Sequence, residues 1–358
     1  ANITASGVIN VVSALTLSNV GGTATFSGDV DVASLTVDNT VANVAFTGNG
    51  SSVASSFTPN NDGTFIFGAS GGTQTYNGGL NTASVDGTVT LNGTIASSDD
   101  ALTFGAVTLG SATAIDTNST TTNRADITIG AVTGGSQNLT FTTEDNITGA
   151  NITASGAISN VGALTLNSVG GTATFSGDVD AESLTVDNTV ANVALTGNGS
   201  TITNNFTPSN DGTLQLGDAS GDTLTFNGGI NESTTGTVTL SGSIVSSNDA
   251  ITFGAVTLGA DTTITSAGGA ITTGAITGSS SEDITMTSSG GSTNTVTTSG
   301  TIGASDNINT VAITGTTSVS LGGNISTNDA SGNTVTVTGN TVDLNGITVD
   351  TNNTNNDG

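Results

Sequence analysis

A duplication at a fixed distance constrains this chain more than any other feature. The twelve residues from Val20 to Asp31 return unchanged from Val169 to Asp180, and the eleven residues from Leu35 to Ala45 return unchanged from Leu184 to Ala194. Both pairs are separated by 149 positions (169 − 20 and 184 − 35). Self-similarity at a fixed period is typical of stacked architectures, in which each unit buries its apolar edge against its neighbours. The repeat therefore predicts a scaffold before it predicts any chemistry.

The composition favours strands and turns over helices. The chain has 51 Gly, 2 Pro, no Cys and no His, and Lys and Arg together contribute one residue against 28 Asp and Glu. Good helix formers are scarce, whereas β-branched residues and turn formers dominate. With 34% hydrophobic and only 8% charged residues, the chain does not have the composition of a disordered protein. We expect a folded, all-β protein.

Short strands recur along the chain as apolar–Thr–apolar triplets, for example Leu15-Thr16-Leu17 and Leu102-Thr103-Phe104. Period-two alternation places both apolar side chains on one face of a strand. Glycine-rich corners such as Thr47 to Gly50 separate the triplets. A β-sandwich also has short strands, but it closes in about 100 residues around a wide core. Because this chain holds only 11 Phe, one Tyr and no Trp, a narrow β-solenoid is the better prediction.

The repeat length suggests how many coils lie in each copy. We expect a copy to contain a whole number of coils, because identical sequences would otherwise face different directions. The repeat of 149 then fits seven coils of about 21 residues, and about six or eight coils would also fit. Stacking at about 4.8 Å per coil predicts an elongated rod on the order of 80 Å long.

The duplication also divides the chain into blocks. Residues 1–149 form repeat block 1, residues 150–294 form block 2, and residues 295–358 form a partial, diverged third block with a polar tail from Asn352 to Gly358. Gly105 to Gly130 is five residues longer than the matching Gly254 to Gly274, which predicts a protruding loop over 116–124. Neither end carries an evident cap, and uncapped solenoid ends expose strand edges. We therefore expect self-association, or continuation in a longer protein.

Acidic residues at the strand starts are the only candidate metal ligands. Asp29 and Asp31, repeated as Asp178 and Asp180, lie on one side of an extended segment. Calcium needs six to eight oxygen ligands, so these pairs are at most weak Ca²⁺ sites, and solvated carboxylates are the favoured interpretation. No other cofactor is expected.

The residue inventory disfavours catalysis. General bases are usually His, a tuned carboxylate or Lys, and the one basic residue, Arg124, falls in the inserted stretch. A paired-carboxylate mechanism would have to depend on Asp99 and Asp100 alone. We predict that the protein is not an enzyme.

Charge and hydrophobicity exclude two further classes of partner. Phosphate contacts require Lys and Arg, so a chain with a formal charge of −27 is not expected to bind nucleic acid or an anionic membrane surface. No apolar run approaches the length of a membrane-spanning helix, so no membrane insertion is expected.

Thr-x-Thr motifs raise the possibility of ice binding, because flat threonine ladders can order water. They are spaced unevenly, so they are not expected to build one continuous face. Threonine is also simply a good residue for exposed strands. The motifs stand at Thr23/Thr25, Thr73/Thr75, Thr88/Thr90, Thr237/Thr239, Thr263/Thr265 and Thr334/Thr336/Thr338.

The strand repeats resemble those of large bacterial surface proteins. The stretch from Ala250 to Ile264 and the paired segments Phe57 to Gly68 and Phe206 to Gly217 are similar to autotransporter passengers and filamentous-haemagglutinin-like exoproteins. The resemblance implies a right-handed parallel β-helix, an extracellular or bacterial cell-surface location, and an adhesive or structural role.

We therefore expect an extracellular structural rod that builds a surface filament, fibre or matrix by end-to-end stacking. One alternative is the stalk segment of a giant adhesin or autotransporter passenger, with possible contacts to the cell surface or to glycans. A third is a β-helix that binds or degrades polysaccharide.

Overall fold

The computed structural model describes residues 1–118, 125–143, 149–234, 236–304, 308–328 and 332–351, and within them it contains strands and no helix. No helix of these residues is therefore long and apolar enough to cross a membrane. The strands are β1 Ile3–Ala5, β2 Ile9–Leu17, β3 Thr23–Phe26, β4 Val30–Val37, β5 Asn43–Phe46, β6 Ser52–Val53, β7 Phe65–Phe67, β8 Thr73–Tyr76, β9 Leu80–Asn81, β10 Val89–Ala96, β11 Leu102–Phe104, β12 Val107–Asp116, β13 Ile127–Ile129, β14 Val132–Thr133, β15 Leu139–Thr142, β16 Ile152–Ala154, β17 Ile158–Asn167, β18 Thr172–Phe175, β19 Val179–Val186, β20 Asn192–Leu195, β21 Thr201–Ile202, β22 Leu214–Leu216, β23 Thr223–Phe226, β24 Ile230–Asn231, β25 Val238–Ser246, β26 Ile251–Thr252, β27 Val256–Ser266, β28 Ile271–Thr273, β29 Ile276–Gly278, β30 Glu282–Ser288, β31 Thr295–Thr298, β32 Ile308–Leu321, β33 Ile325–Ser326, β34 Val335–Asp343 and β35 Val349–Asp350.

The strands wind into a β-solenoid of about 16 turns with about 21 residues per turn, as the sequence predicts. They pair in parallel with strands one turn before or after them; Ile3, for example, pairs with Ala24. The separation of paired residues along the chain is the length of a turn, and it varies. The turn from Val89 to Val107 is among the shortest, and the turn from Met286 to Ile313 is among the longest. The solenoid thus keeps its strands in register while its corners differ in length.

Contact density divides the chain into two units. The first comprises residues 1–182 and 189–192, and the second comprises residues 183–188 and 193–358. The repeat blocks 1–149, 150–294 and 295–358 follow the duplication of the sequence and stay a prediction as structural domains.

Three columns of strands form the first unit, and successive turns add strands to each column. The first column contains Ile3, Ala24, Val44, Phe65, Val89, Val107, Val132 and Ile158. The second contains Asp31, Ser52, Thr75, Ala96, Asp116, Thr142 and Asn167. The third contains Phe57, Leu80, Leu102, Ile127, Ile152 and Ala173.

The expectation that one repeat holds a whole number of coils is wrong. Seven turns along the first column lead from Ile3 to Ile158. The residue that matches Ile3 in the second copy is Ile152. It lies in the third column, six positions before Ile158 along the chain. Each copied strand still pairs with the same copied neighbour, since Ile152 pairs with Ala173 as Ile3 pairs with Ala24. Local pairing fixes the fold, and it does not require copies to occupy the same face.

The core is a narrow apolar channel lined by alternating residues of each strand. In β10, for example, buried and half-buried residues alternate strictly from Val89 to Ala96. One stack of rings lies in the core of the first unit between Phe26 and Tyr76; the paired rings are Phe26–Phe46 at 4.9 Å, Phe46–Phe65 at 5.5 Å, Phe57–Phe65 at 5.9 Å, Phe65–Phe67 at 4.1 Å, Phe57–Tyr76 at 5.9 Å and Phe67–Tyr76 at 5.9 Å between centroids. In the second copy leucines replace three of these rings, at Leu195, Leu214 and Leu216.

The single hydroxyl of this ring stack is paired. The Tyr76 hydroxyl donates to Gln74 Oε1 at 2.9 Å, and Gln74 Nε2 donates to the Phe46 carbonyl at 2.9 Å. Both side chains are buried, so the two hydrogen bonds remove the cost of isolated polar groups in the core.

The longer corner of the first copy lies where the sequence places it. The turn from Leu102 to its partner Ile127 is five residues longer than the matching turn from Ile251 to Ile271. At the base of this corner the buried Thr117 hydroxyl donates to the Ala125 carbonyl at 2.9 Å. Residues 119–124 of the predicted loop, including Arg124, and the tail 352–358 lie outside the described residues.

Candidate functional site

The first acidic pair lies at the start of a second-column strand. Asp29 immediately precedes β4, Asp31 lies within it, and Val30 between them is buried, so both carboxylates are on the outer side. Asp29 Oδ1 accepts a hydrogen bond of 2.8 Å from the Gly50 backbone N–H. Asp31 lines an open groove of about 380 Å³ together with Ser52. One carboxylate of the pair therefore holds the corner of the next turn.

The second acidic pair repeats this backbone arrangement. Asp178 precedes β19 and Asp180 lies within it. The Asp178 carbonyl accepts from the Ile158 N–H at 2.8 Å, as the Asp29 carbonyl accepts from the Ile9 N–H at 2.8 Å. Among the described residues there is no group of three or more His, Cys, Asp or Glu side chains that could hold a metal ion. The weak Ca²⁺ sites at Asp29, Asp31, Asp178 and Asp180 stay a prediction.

The adjacent carboxylates Asp99 and Asp100 belong to a corner between β10 and β11. Asp99 has a φ of 68°, a left-handed conformation that Asp adopts more readily than most residues. The Asp100 carbonyl accepts from the Ser97 hydroxyl. These contacts explain why the two residues lie in a corner. The absence of enzymatic activity stays a prediction.

One carboxylate is held closely by a corner of the chain, and nothing in the sequence patterns indicated it. Glu282 opens β30, is only 3% exposed, and accepts hydrogen bonds from the hydroxyls of Ser279 and Ser280 and from the backbone N–H groups of Ser279, Ser280 and Ser281. Burial raises the pKa of Glu282, but the hydrogen bonds from Ser280 and Ser279 outweigh it and lower the pKa to about 2. These donors belong to the preceding corner, so the carboxylate shapes that corner.

A shallow groove recurs in the two copies with the same residue types. In the first unit it has a volume of about 370 Å³, and in the second about 250 Å³. The first groove is lined by Gly87, Thr88, Ala106, Val107, Thr108, Ala131 and Thr133 together with Asp86, and the second by Gly236, Thr237, Ala255, Val256, Thr257, Ala275 and Thr277. Neither set of lining residues includes an aromatic ring or a cation, which are the groups that polysaccharide sites depend on.

Threonines lie in register on one face of the second unit, although most of the Thr-x-Thr motifs of the sequence lie elsewhere. The column β23–β25–β27–β30–β32–β34 stacks Leu224, Ile244, Ile264, Met286, Ile313 and Val337 on its inner side. The turns of this column differ in length, since the one from Ile244 to Ile264 is seven residues shorter than the one from Met286 to Ile313. Uneven spacing along the sequence is therefore compatible with regular spacing in space.

We call the outer side of this column the threonine face. It consists of the residues that flank each inner residue: Thr223, Thr225, Ser243, Val245, Thr263, Thr265, Thr285, Thr287, Ala312, Thr314, Thr336 and Thr338. The sequence motifs identified Thr263/Thr265 and Thr336/Thr338 but missed Thr223/Thr225 and Thr285/Thr287. The signal that would have found them is the longer alternation apolar–Thr–apolar–Thr, as in Ile284 to Thr287.

Comparison of the chain with protein-family models, curated proteins and solved structures finds no match.

Proposed function

We propose that this chain is the structural solenoid of an extracellular bacterial surface filament, built by end-to-end stacking of copies. The carrying observation is that the strand ladder is open at the terminal turns of the described residues. There β1 pairs only with β3, and β35 only with β33. Open edges of this kind are templates for further parallel strands.

Exposed apolar side chains support the same proposal. The exposed large hydrophobic residues of the described chain are Ile3 and Val8 in the first turn, and Val342, Leu344 and Val349 in the last. The inward residues of the intervening turns are buried by the turns on either side, and one more turn would bury Ile3, Val342, Leu344 and Val349 in the same way. Val8 lies beside Asp29 on the outer side, since Ile9 pairs with Val30. A heterologous contact between unlike ends does not close on itself, so it produces an open filament.

The location and the lack of enzymatic activity are parts of this proposal. They rest on the resemblance to bacterial surface proteins and on the absence of His, Cys and Lys from the sequence.

Electron microscopy of the native material, together with sedimentation of the purified protein, tests the assembly. We expect filaments whose width is one solenoid, and we expect the double substitution Val342→Lys with Leu344→Lys to abolish them. Thr239→Lys combined with Thr257→Lys is the control, because both residues lie on the outer side of β25 and β27 and the pair adds the same charge away from the open edges.

Monodisperse particles at every salt concentration would overturn the stacking. If the native polypeptide continued beyond these 358 residues and stayed monomeric, further turns of the same chain would cover the open edges. That result would favour the stalk of a larger adhesin. Glycan binding or release of reducing ends from a polymer would favour the polysaccharide alternative.

A further inference from the structure

The twelve positions of the threonine face carry no charge over six consecutive turns; Asp261 and Asp283 border the face, two residues before Thr263 and Thr285 on the outer side of β27 and β30. Nine of its twelve residues are Thr, and the other three are Ser243, Val245 and Ala312. All twelve are exposed or half-buried, while the inner residues from Leu224 to Ile313 are buried. An ion or a phosphate would find no counter-charge on these positions, and a sugar ring would find no aromatic platform.

The face is periodic in two directions. Residues two apart on a strand are separated by about 6.6 Å, and strands of successive turns by about 4.8 Å. Thr263 and Thr265 lie directly beside Thr285 and Thr287 in this register. Threonine is β-branched, and its χ1 is restricted on a strand, so neighbouring hydroxyl and methyl groups repeat in similar orientations. The result is a regular array of hydroxyl groups separated by methyl groups.

The hydroxyls of the face are left for solvent. Within the described residues, Thr263, Thr265, Thr285 and Thr287 form no side-chain hydrogen bond to protein, although the buried Thr262 hydroxyl donates to the carbonyls of Leu240 and Ala260 at 3.2 and 2.9 Å. Each outer hydroxyl can donate one hydrogen bond and accept two. Because the strand register sets the spacing of the hydroxyls, water bound to them would be ordered in two dimensions.

We propose that the threonine face binds the surface of ice crystals. Ice is an uncharged surface of hydrogen-bond donors and acceptors that repeats in two dimensions at spacings of this order, and it is the ligand whose chemistry and periodicity both match the face. The methyl groups favour the release of water that is not bound to the ice lattice. The hydroxyls hydrogen-bond to water that belongs to the lattice.

The first copy supplies a natural comparison. Ala114 and Asp116 stand where the second copy has Thr263 and Thr265, because the repeat distance of 149 separates each pair. Asp116 accepts a hydrogen bond of 2.8 Å from the Asn118 N–H and places a carboxylate in the middle of its own column. A carboxylate therefore interrupts the array in the first unit, whereas the residues that interrupt it in the second unit, Val245 and Ala312, are uncharged.

Inhibition of ice recrystallisation and the shape of single ice crystals in a nanolitre osmometer test the proposal. We expect the full chain to shape crystals and to inhibit recrystallisation. Thr265→Asp combined with Thr287→Asp should raise the half-inhibitory concentration at least tenfold, and Thr265→Val should raise it less because the methyl groups remain.

Thr239→Asp combined with Thr257→Asp is the matched control, because these paired residues lie on a different column of the same unit. Circular dichroism of all variants checks that the solenoid is intact. Normal disc-shaped crystals in the presence of the unmodified chain would overturn the proposal, and so would an equal loss in the control. Filament formation is measured separately, so failure of either proposal is distinguishable from failure of the other.

Discussion

Ser280 donates two hydrogen bonds of 2.8 Å to the same oxygen of Glu282, one from its backbone N–H and one from its hydroxyl. Ser279 and Ser281 complete the arrangement, so three successive serines close around one carboxylate. Charge-assisted hydrogen bonds of this kind are about twice as strong as neutral ones. The corner before β30 therefore depends on an ionised side chain.

Glu282→Gln is expected to destabilise the solenoid by about 1.5–3 kcal/mol at pH 7, because the amide removes the charge and directs N–H donors at N–H donors. The pKa of Glu282 falls from its ordinary 4.5 to about 2 on folding. The stabilisation from this depressed pKa is thus present above about pH 4.5 and is lost as the pH falls towards about 2. Urea unfolding of both proteins between pH 7 and pH 2 measures the difference.

The exposed Glu182 serves as the control for this series. Glu182→Gln should leave the free energy of unfolding within about 0.5 kcal/mol of the parent at pH 7, as surface substitutions usually do. A Glu282→Gln difference that persisted unchanged at pH 2 would contradict the electrostatic explanation.

Phe65 is the centre of the ring stack, with the rings of Phe46, Phe57 and Phe67 at 5.5, 5.9 and 4.1 Å. Phe65→Ala is expected to cost about 3–5 kcal/mol through the cavity that it leaves. Phe65→Leu introduces the residue of the second copy, Leu214, and should cost markedly less because most of the volume is kept. Chemical unfolding monitored by far-ultraviolet circular dichroism compares the two.

The reciprocal substitution Leu214→Phe tests whether each copy has adapted its own neighbours. It should cost about 1–3 kcal/mol by overpacking, because Leu214 is fully buried and a ring is larger than the side chain it replaces. If Phe65→Leu and Phe65→Ala destabilised the protein equally, volume would not be the deciding quantity.

The strands were predictable from sequence because their signal is local. A triplet such as Leu102-Thr103-Phe104 alternates with period two, and the structure has it as β11 with Thr103 between two buried residues. The solenoid followed from repetition and from the small number of aromatic residues. None of these inferences required knowledge of which strand pairs with which.

The phase of the repeat was not predictable, because it depends on the summed lengths of corners. Ile3 and Ile152 have identical sequence neighbours, yet they lie in different columns, because the repeat ends one column short of seven full turns. The threonine face was missed for the same reason. Thr285 and Ala312 are neighbours in space although the turn that joins them is the longest of its column.

Gly68 lies in the corner between β7 and β8 with a φ of +77°, and a Cβ there would approach the Asn92 carbonyl oxygen to 2.1 Å. Gly71 in the same corner has a φ of +75° but nothing within 4 Å of a Cβ. Gly71→Ala should therefore cost about 1–2 kcal/mol from backbone strain alone, and Gly68→Ala distinctly more. Thermal unfolding of the two variants separates strain from collision.

Gly7→Ala is the neutral comparison, because Gly7 has neither a positive φ nor an atom within 4 Å of a Cβ. Equal midpoints for Gly68→Ala and Gly71→Ala would show that the Asn92 carbonyl moves aside without cost.

The formal charge of −27 predicts how assembled solenoids interact laterally. Repulsion between acidic surfaces is screened over about 8 Å at physiological ionic strength, so bundling should rise with NaCl and, at matched ionic strength, rise further with CaCl₂. Light scattering and microscopy measure the bundles. Bundling that is indifferent to ionic strength would contradict the electrostatic explanation.

The part of this response that is specific to Ca²⁺ tests the predicted acidic sites. Replacing Asp29, Asp31, Asp178 and Asp180 by asparagine should remove that part while leaving the NaCl response. The corner itself should persist, because an amide oxygen in place of the Asp29 carboxylate would still accept from the Gly50 N–H. An unchanged Ca²⁺ response in the fourfold variant would show that these four carboxylates do not bind the cation, and that calcium acts on the acidic surface as a whole.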